Sequence, residues 1–319
     1  MATADHIKNL IKAHIDHDDE KFKTVVLQIA AYEAKHSHET FARELKQYVE
    51  KIGTSKASIF RLNQQNPMLY MTVPSDRLSD LIVSQDIHNR IERILSEYRN
   101  RNKLQKYGLS NRRKILIEGK PGTGKTFTAS VIASELNLPL YAIQMDKVVT
   151  KFMGETSSKL RQIFDAIASS TGVYFFDEFD AIGADRNLDN EVGEARRILN
   201  SFLQFIEQDE SDSIIIAATN NQKLLDQALF RRFDDVLHYT LPTIDEVRQL
   251  YELKLGAYDG GFRITHELIE KSNMLSHAEI IRVCDDAIKN SILQSSKISN
   301  EQLECLIAER SAAYSVKEA

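Results

Sequence analysis

The chain has 319 residues, of which 42% are hydrophobic and 27% charged, and its mean hydropathy is −0.34. This composition is typical of a soluble globular protein with a substantial core. The formal net charge of −5 and the pI near 6.0 argue against bulk electrostatic attraction to nucleic acid and leave room only for a local basic patch.

No stretch of the sequence predicts a membrane span or an export signal. The longest apolar runs, such as residues 214–218, are strand-sized and too short to cross a bilayer. The first fifteen residues carry Asp5 and lack the apolar core of a signal peptide. Cys284 and Cys305 lie on separate predicted helices, which favours reduced thiols. We therefore expect a cytoplasmic protein with no membrane partner.

The amino-terminal region, residues 1–53, has apolar residues at helical spacing in three places, near 7–15, 22–30 and 41–52. Each predicted helix is too short to be stable alone, which predicts a small bundle or a surface that packs against partners. Residues 54–76 are polar and contain Pro67 and Pro74, and this pattern predicts a linker that can hold one short extended piece near 68–73.

Residues 77–242 predict an α/β domain, because apolar strand-like runs alternate with helical patterns. The strand candidates are residues 114–118, 139–144, 173–177, 213–220 and 236–241. We expect a parallel five-stranded sheet with helices on both faces. Residues 243–319 are helical throughout, and Thr243, Ser276 and Ser299 begin capping-box patterns that mark three helix starts.

A glycine-rich loop follows the first strand candidate and precedes a helical pattern. Residues 119–126 read GKPGTGKT, which is the pattern G-x-x-x-x-G-K-[ST]. Such a loop wraps a polyphosphate with its backbone, and the following helix amino-terminus adds N–H donors. Lys125 can reach the β- and γ-phosphates, and the Thr126 hydroxyl can ligate Mg²⁺. The predicted nucleotide contacts here are Gly119, Pro121, Gly122, Thr123, Gly124, Lys125, Thr126 and Phe127.

Two carboxylates, Asp177 and Glu178, come at the end of the strand candidate 173–177. Two acids at a strand end are weak evidence alone, but about fifty residues after a phosphate loop they indicate a hydrolytic site. There the first carboxylate holds Mg²⁺ and the second orients or activates the attacking water.

Over residues 81–293 these segments resemble the AAA+ ATPases, and specifically the AAA family proper. Residues 177–186 (DEFDAIGADR) look like that family's Walker B region, and residues 217–235 (AATNNQKLLDQALFRRFDD) are similar to its second region of homology. The resemblance implies ATP and Mg²⁺ as cofactors, a P-loop AAA+ core, and a ring of identical subunits that is expected to be a hexamer.

The resemblance also assigns roles to three residues of that second region. Asn220 is the sensor-1 residue that helps position the water. Arg231 and Arg232 are arginine fingers that project into the nucleotide site of a neighbouring subunit. An always-charged planar donor suits a γ-phosphoryl transition state. The alternative is a surface pair that forms salt bridges with Asp234 and Asp235.

Residues 150–156 contain an aromatic residue and a methionine just before a glycine in polar surroundings. This segment is either an exposed apolar tip or a buried anchor. It looks like pore loop 1 of the AAA family, whose aromatic residue grips an extended polypeptide in the ring's channel. The implied substrate contacts are Lys151, Phe152, Met153 and Gly154.

The helical carboxy-terminal domain resembles the small AAA lid, and SHAEI (276–280) looks like the family's S-G-A-[DE] segment. Ala278 occupies the place where other AAA+ clades carry a sensor-2 arginine. His277 replaces the usual glycine, which either disturbs a backbone contact to the nucleotide or adds a ring near the base. Asp235 stands where the family more often has a basic residue, whereas Lys120 occupies a variable position of the loop.

Together these features predict an oligomeric ATPase that remodels or unfolds protein substrates and for which degradation would need a separate protease partner. One alternative is a nucleotide-gated scaffold, which would keep its activity without Phe152. Another is a nucleic-acid motor that uses the basic stretch before the first core strand, although this stretch lacks interleaved stacking aromatics. Its members are Arg99, Arg101, Lys103, Lys106, Arg112, Arg113 and Lys114.

Overall fold

The structure is a computed structural model, and it describes residues 8, 10–12, 19–35, 38, 41–46, 66–149, 155–179, 191–220 and 230–315. The chain divides into two compact units, Met1–Asn66 and Pro67–Ala319. Within the described residues, no helix has both the length and the apolar character that crossing a membrane would need.

Most described residues of the first unit are helical. Helix α1 covers Asp19–Lys35, and residues 8, 10–12 and 41–46 are also helical. Val25, Val26, Ile29 and Ala30 of α1 are buried, so the apolar spacing correctly identified the inner face of this helix. Most of the predicted helix at 7–15 and the end of the one at 41–52 lie outside the described residues.

One six-stranded sheet forms the centre of the second unit. Its strands are β1 (Leu69–Thr72), β2 (Lys114–Gly119), β3 (Leu140–Ile143), β4 (Val173–Phe176), β5 (Ile214–Thr219) and β6 (Asp235–Tyr239). Their order is β1-β3-β4-β5-β2-β6, and every neighbouring pair is parallel except β1 with β3. All residues of β4 and β5 are buried, as expected for parallel strands between two helical layers.

All five predicted strands are present, and β1 is a sixth that the sequence did not predict as part of the sheet. It pairs antiparallel with β3, with Leu69 opposite Ile143 and Thr72 opposite Leu140. It lies within residues 54–76, the segment predicted as a linker with one short extended piece. These four residues have mixed burial, so their sequence alone does not predict a strand of the sheet. Pairing with β3 is what stabilises them as a strand.

Helices cover both faces of the sheet. They are α2 (Gln85–Arg99), α3 (Arg101–Gln105), α4 (Lys125–Glu135), α5 (Met145–Val148), α6 (Glu155–Ser169) and α7 (Glu191–Gln208). On one face α2 and α4 supply the buried residues, such as Ala129, that cluster with Phe175 of β4. On the other, Phe164 of α6 stacks on Phe176 with a centroid distance of 6.1 Å, and Phe202 of α7 meets Phe176 edge to face at 5.0 Å. Successive strand residues point to opposite faces, so both faces are covered.

The carboxy-terminal helices α8 (Ile244–Tyr258), α9 (His266–Lys271), α10 (His277–Gln294) and α11 (Asn300–Ser315) enclose a separate apolar core. Thr243 and Ser276 form the predicted capping boxes at the starts of α8 and α10. Before α11, Ser299 Oγ accepts a hydrogen bond from the Gln302 amide at 3.2 Å. The predicted helix starts are therefore confirmed, and we call α8–α11 the lid.

A charged cluster fastens α2 to the edge strand β6. Asp235 is 7% exposed, and its carboxylate pairs with Arg90 of α2 and lies 3.8 Å from Arg112 Nε. Arg112 also pairs with Glu97 of α2. The acidic residue at this position therefore joins two elements of the same subunit, which accounts for a departure from the family pattern that the sequence left unexplained.

Candidate active site

The phosphate loop joins the carboxyl end of β2 to the start of α4. Gly122 has a φ of +77°, and a Cβ added there would lie 2.5 Å from Ser276 Oγ of the lid. Gly124, the N-cap of α4, has a φ of +102°. L-residues with a side chain rarely adopt such angles, so this curled loop depends on glycine at both positions. The Thr123 hydroxyl donates to the Lys120 carbonyl at 2.8 Å and closes the turn.

Lys125 is held inside the loop, and its side chain is only 7% exposed. Its ammonium donates to the carbonyls of Gly119 and Lys120 at 2.8 and 2.9 Å and to Asn220 Oδ1 at 2.7 Å. The fold thus brings together two predicted site residues that are 95 positions apart. Because an ammonium has three donors, these acceptors fix both its position and its direction.

Thr126 and Asp177 also meet, because β4 ends beside the start of α4. The Thr126 hydroxyl donates to Asp177 Oδ2 at 3.0 Å, and the Glu178 amide donates to Asp177 Oδ1 at 2.9 Å. Glu178 has a φ of +49°, which is uncommon for a residue with a side chain. The chain therefore turns sharply after Asp177 and leaves two carboxylates at the strand end.

These oxygens fit a magnesium ion that shares its ligands with a phosphate. Mg²⁺ prefers oxygen ligands and is usually bound through one or two carboxylates together with substrate phosphates. Among the described residues there is no group of three or more His, Cys, Asp or Glu that could hold a metal by itself. Thr126 and Asp177 thus match the smaller protein ligand set of a nucleotide-bound Mg²⁺.

A cavity of about 720 Å³ contains these residues, and this size suits a nucleotide-sized ligand. Its lining includes the predicted residues Pro121, Gly122, Thr123, Gly124, Lys125, Thr126, Phe127, Asp177, Glu178, Asn220, His277 and Ala278. Gly119 does not line it but supports Lys125 from behind. One wall of the cavity is the phosphate loop, and the facing wall belongs to the lid.

The lid touches the phosphate loop at Gly122. The Ala278 amide of α10 donates to the Gly122 carbonyl at 2.9 Å, and Ser276 packs where a Cβ of residue 122 would be. His277 lies between these two contacts and is 7% exposed. Burial lowers the pKa of His277, while the negative charge of Glu246 and the nearby backbone of Ile82 act in the opposite direction.

The two predicted arginine fingers lie away from the cavity of their own subunit. They precede β6, and neither lines the cavity. Arg232 forms an ion pair with Glu207 of α7 at 3.0 Å, and Arg231 is exposed. The predicted pore-loop residues Lys151, Phe152, Met153 and Gly154 lie outside the described residues.

Sequence reasoning missed part of the cavity wall. Motifs identified the phosphate loop and the acidic strand end, but the remaining lining residues belong to no motif and meet only through packing. They are Asp76, Asp80, Leu81, Ile82, Leu250, Leu253, Lys254, Ala257 and Ile281. Asp76 accepts a hydrogen bond from Ser130 of α4, which holds the segment before α2 against the domain.

Comparison with known proteins agrees with this geometry. Residues 115–241 match the model of the "ATPase family associated with various cellular activities (AAA)". The chain is 32% identical over 316 residues to an uncharacterized AAA family ATPase of Sinorhizobium fredii, covering 95% of this chain and 93% of that protein.

Two further relatives have more specific names. A putative 26S proteasome regulatory subunit homologue of Methanothermobacter marburgensis is 27% identical, covering 81% of this chain and 70% of its own length. An ATP-dependent zinc metalloprotease FtsH of Parabacteroides distasonis is 29% identical, covering 75% of this chain but only 35% of its own length. The matched domain, the near full-length relative and the nucleotide-sized cavity lead to one conclusion: the chain belongs to the AAA family of ATPases, and its activity is ATP hydrolysis.

Proposed function

We propose that copies of this chain assemble into a ring, expected to be a hexamer, and use ATP hydrolysis to remodel or unfold protein substrates. The observation that carries the proposal is the meeting of Lys125 with Asn220 and of Thr126 with Asp177 in a cavity that the lid borders. Such a cavity links hydrolysis to the position of a separate helical domain, which is what a remodelling machine requires.

Each residue of this cluster has a distinct proposed task. Lys125 and the loop amides bind phosphate, and Thr126 and Asp177 hold Mg²⁺, which neutralises charge on the phosphates when bound. Glu178 orients and activates the attacking water from the strand end, and its amide hydrogen bond keeps Asp177 aligned. Asn220 is the proposed sensor of the γ-phosphate, and its contact with Lys125 supports this role.

We propose that Arg231 and Arg232 act on the site of a neighbouring subunit. Their position outside their own cavity supports this, as does the exposure of Arg231. An arginine supplied by a partner is worth about 10³–10⁵ in rate where it has been measured. An isolated subunit should therefore be a poor ATPase. The ion pair of Arg232 with Glu207 makes Arg231 the better candidate for the finger.

Protein is the proposed substrate, and Phe152 with its neighbours Lys151, Met153 and Gly154 is the proposed grip. Aromatic and thioether side chains contact varied sequences without demanding a matched partner. Two relatives are named as a proteasome regulatory subunit homologue and as an ATP-dependent protease, which supports protein handling and a separate protease partner for this chain. A nucleotide-gated scaffold is the second candidate.

The nucleic-acid alternative loses support, because much of the basic stretch is engaged within the subunit. Arg99 pairs with Glu135, Arg112 with Glu97, and Arg113 with Asp209. The guanidinium of Arg101 lies over the Tyr98 ring, 4.6 Å from its centroid. Charges already neutralised by neighbouring carboxylates contribute little to phosphate binding.

The test is a substrate trap. A Glu178→Gln chain should bind ATP without hydrolysing it and should retain substrates, which are identified after purification in ATP. The matched control is Glu178→Gln combined with Phe152→Ala. Polypeptides that are retained by the first chain and lost from the second would support threading. Equal retention by both would favour the scaffold, and nuclease-sensitive material retained by both would overturn the protein-remodelling proposal.

A further inference from the structure

His277 is a buried residue whose side chain has no evident structural partner. Among the described residues, only two buried side chains carry nitrogen or oxygen atoms without a protein hydrogen-bond partner, and these are Tyr98 and His277. In His277 neither Nδ1 nor Nε2 makes a hydrogen bond of normal geometry, although the backbone of Ile82 lies close enough to interact weakly with the ring. Buried polar groups are nearly always hydrogen-bonded, so an exception in a ligand cavity calls for a partner from the ligand.

The neighbouring residues hold His277 in a defined place. Ser276 packs against Gly122, and the Ala278 amide donates to the Gly122 carbonyl. The residues on either side of the histidine therefore both touch the phosphate loop. The ring thus occupies a position that is set relative to the phosphate loop, which is the requirement for contacting another part of a nucleotide bound there.

The part of the cavity that surrounds His277 suits a base rather than a phosphate. The lid contributes the apolar residues Leu250, Leu253 and Ile281 to the wall, and Ile82 faces them from the segment before α2. The backbone of Ile82 lies close enough to the His277 ring to influence its pKa. Of the two lysines in the lining, Lys125 belongs to the phosphate loop and Lys254 to the lid, so the lid wall is mainly apolar with one cation beside it. Apolar walls with a few polar groups are typical of sites for planar rings.

We propose that His277 is the residue that hydrogen-bonds the nucleobase, and that it recognises a purine. This inference rests on the assignment of the cavity as the ATP site. Neutral imidazole presents one N–H donor and one acceptor. The edges of adenine likewise offer an amino donor beside ring-nitrogen acceptors. The imidazole of His277 can therefore hydrogen-bond the base, and this bond gives one of the imidazole nitrogens a partner. Because burial lowers the pKa of His277, the neutral ring is the form present at pH 7.

The experiment measures binding to the full chain by calorimetry, with ADP and with pyrophosphate as a probe that lacks the base. His277→Phe keeps a ring and removes both nitrogens. We expect it to weaken ADP binding about 3- to 10-fold, the usual size of one neutral hydrogen bond, and to change pyrophosphate binding less than about twofold. His277→Asn, which restores a donor and an acceptor, should recover most of the ADP affinity.

Analogues of ADP identify the contacted atom. 7-Deaza-ADP, 1-deaza-ADP and purine riboside diphosphate each lack one polar group of the adenine edges. For the wild type, one of these analogues should bind more weakly than ADP. For His277→Phe, the same analogue should bind as tightly as ADP, because the imidazole that contacts the missing group has been removed. If every analogue loses the same factor in affinity with His277→Phe as with the wild type, the substitution and the analogue act independently, and the proposal is overturned.

Tyr98→Phe is the matched control, since it also removes a buried polar atom without a protein partner but lies outside the cavity. It should leave ADP affinity unchanged. Unchanged ADP binding by His277→Phe, or an equal loss of ADP and pyrophosphate binding, would refute a base contact. A wild-type chain that bound neither ADP nor pyrophosphate would instead contradict the assignment of the cavity as the ATP site.

Discussion

Two substitutions of Asn220 should have different effects on nucleotide affinity. Lys125 donates to Asn220 Oδ1 at 2.7 Å, and it must loosen such internal contacts to reach a phosphate. Asn220→Asp keeps the shape of the side chain but turns a neutral acceptor into a carboxylate, which strengthens the contact that Lys125 has to give up. Asn220→Ala removes this contact. The first variant should bind ADP more weakly, and the second should bind it as tightly as the wild type or more tightly.

The size of the effect follows from the environment of Lys125. A hydrogen bond between two neutral groups contributes about 0.5–1.5 kcal/mol, and one to a charged group about 1.5–3 kcal/mol. Asn220 is a neutral acceptor for a charged donor, so adding the carboxylate charge should cost a further ~1.5 kcal/mol, or about tenfold in affinity. Lys125 is only 7% exposed whereas Asn220 is exposed, so solvent screens this contact in part and the tenfold figure is an upper value. Repulsion between the introduced carboxylate and the phosphates acts in the same direction.

Calorimetric titration with ADP at constant ionic strength measures both variants. Asn221→Asp is the control, because it adds the same charge one residue further along the chain. The reasoning fails if Asn220→Asp binds ADP as tightly as the wild type. It also fails if the variant loses the same factor in a Lys125→Met background, since the effect would then not pass through the lysine.

Three further predictions concern stability and assembly. Asp235→Asn should lower the free energy of unfolding in urea by about 1.5–3 kcal/mol, because buried Asp235 joins α2 to β6; a change below about 0.5 kcal/mol would contradict this. ATPase rate per subunit should rise with protein concentration, and Arg231→Ala should abolish that rise; a flat wild-type profile argues against a finger supplied by a neighbour. The pKa of His277 is lowered by folding, so protons bind the unfolded chain more tightly. Relative to His277→Phe, the wild type should therefore lose stability as the pH falls below about 6.5, and parallel pH profiles would exclude this.

The sheet shows which structural information is local. The five predicted strands lie within two residues of their observed ends at every boundary, because strands buried on both faces are continuous apolar runs such as Val173–Phe176. Strand β1 has no such run. Tyr70 is 58% exposed, and pairing with β3 on only one side stabilises the strand. Pairing between segments some seventy residues apart leaves no periodic signal in either of them.

The site divides in the same way. Local chemistry dictates the loop from Gly119 to Thr126 and the acids after β4, so motifs found them. The meeting of Lys125 with Asn220 could be expected from the family resemblance, but its distance and burial required the fold. The lid wall could not be predicted, because the face that α8 turns toward the cavity depends on how α10 docks on Gly122.

Hydrogen bonding in the cavity is unequal at its two ends, and this suggests where the binding free energy comes from. At the phosphate end, Lys125 and Thr126 already have protein acceptors, so a bound phosphate exchanges one set of hydrogen bonds for another. At the lid end, both nitrogens of His277 lack a protein partner. A base that hydrogen-bonds there competes only with the weak interaction between the ring and the backbone of Ile82. The phosphates would then give the site its charge and alignment, while the base would supply a large share of the net hydrogen-bond gain through its contact with the lid.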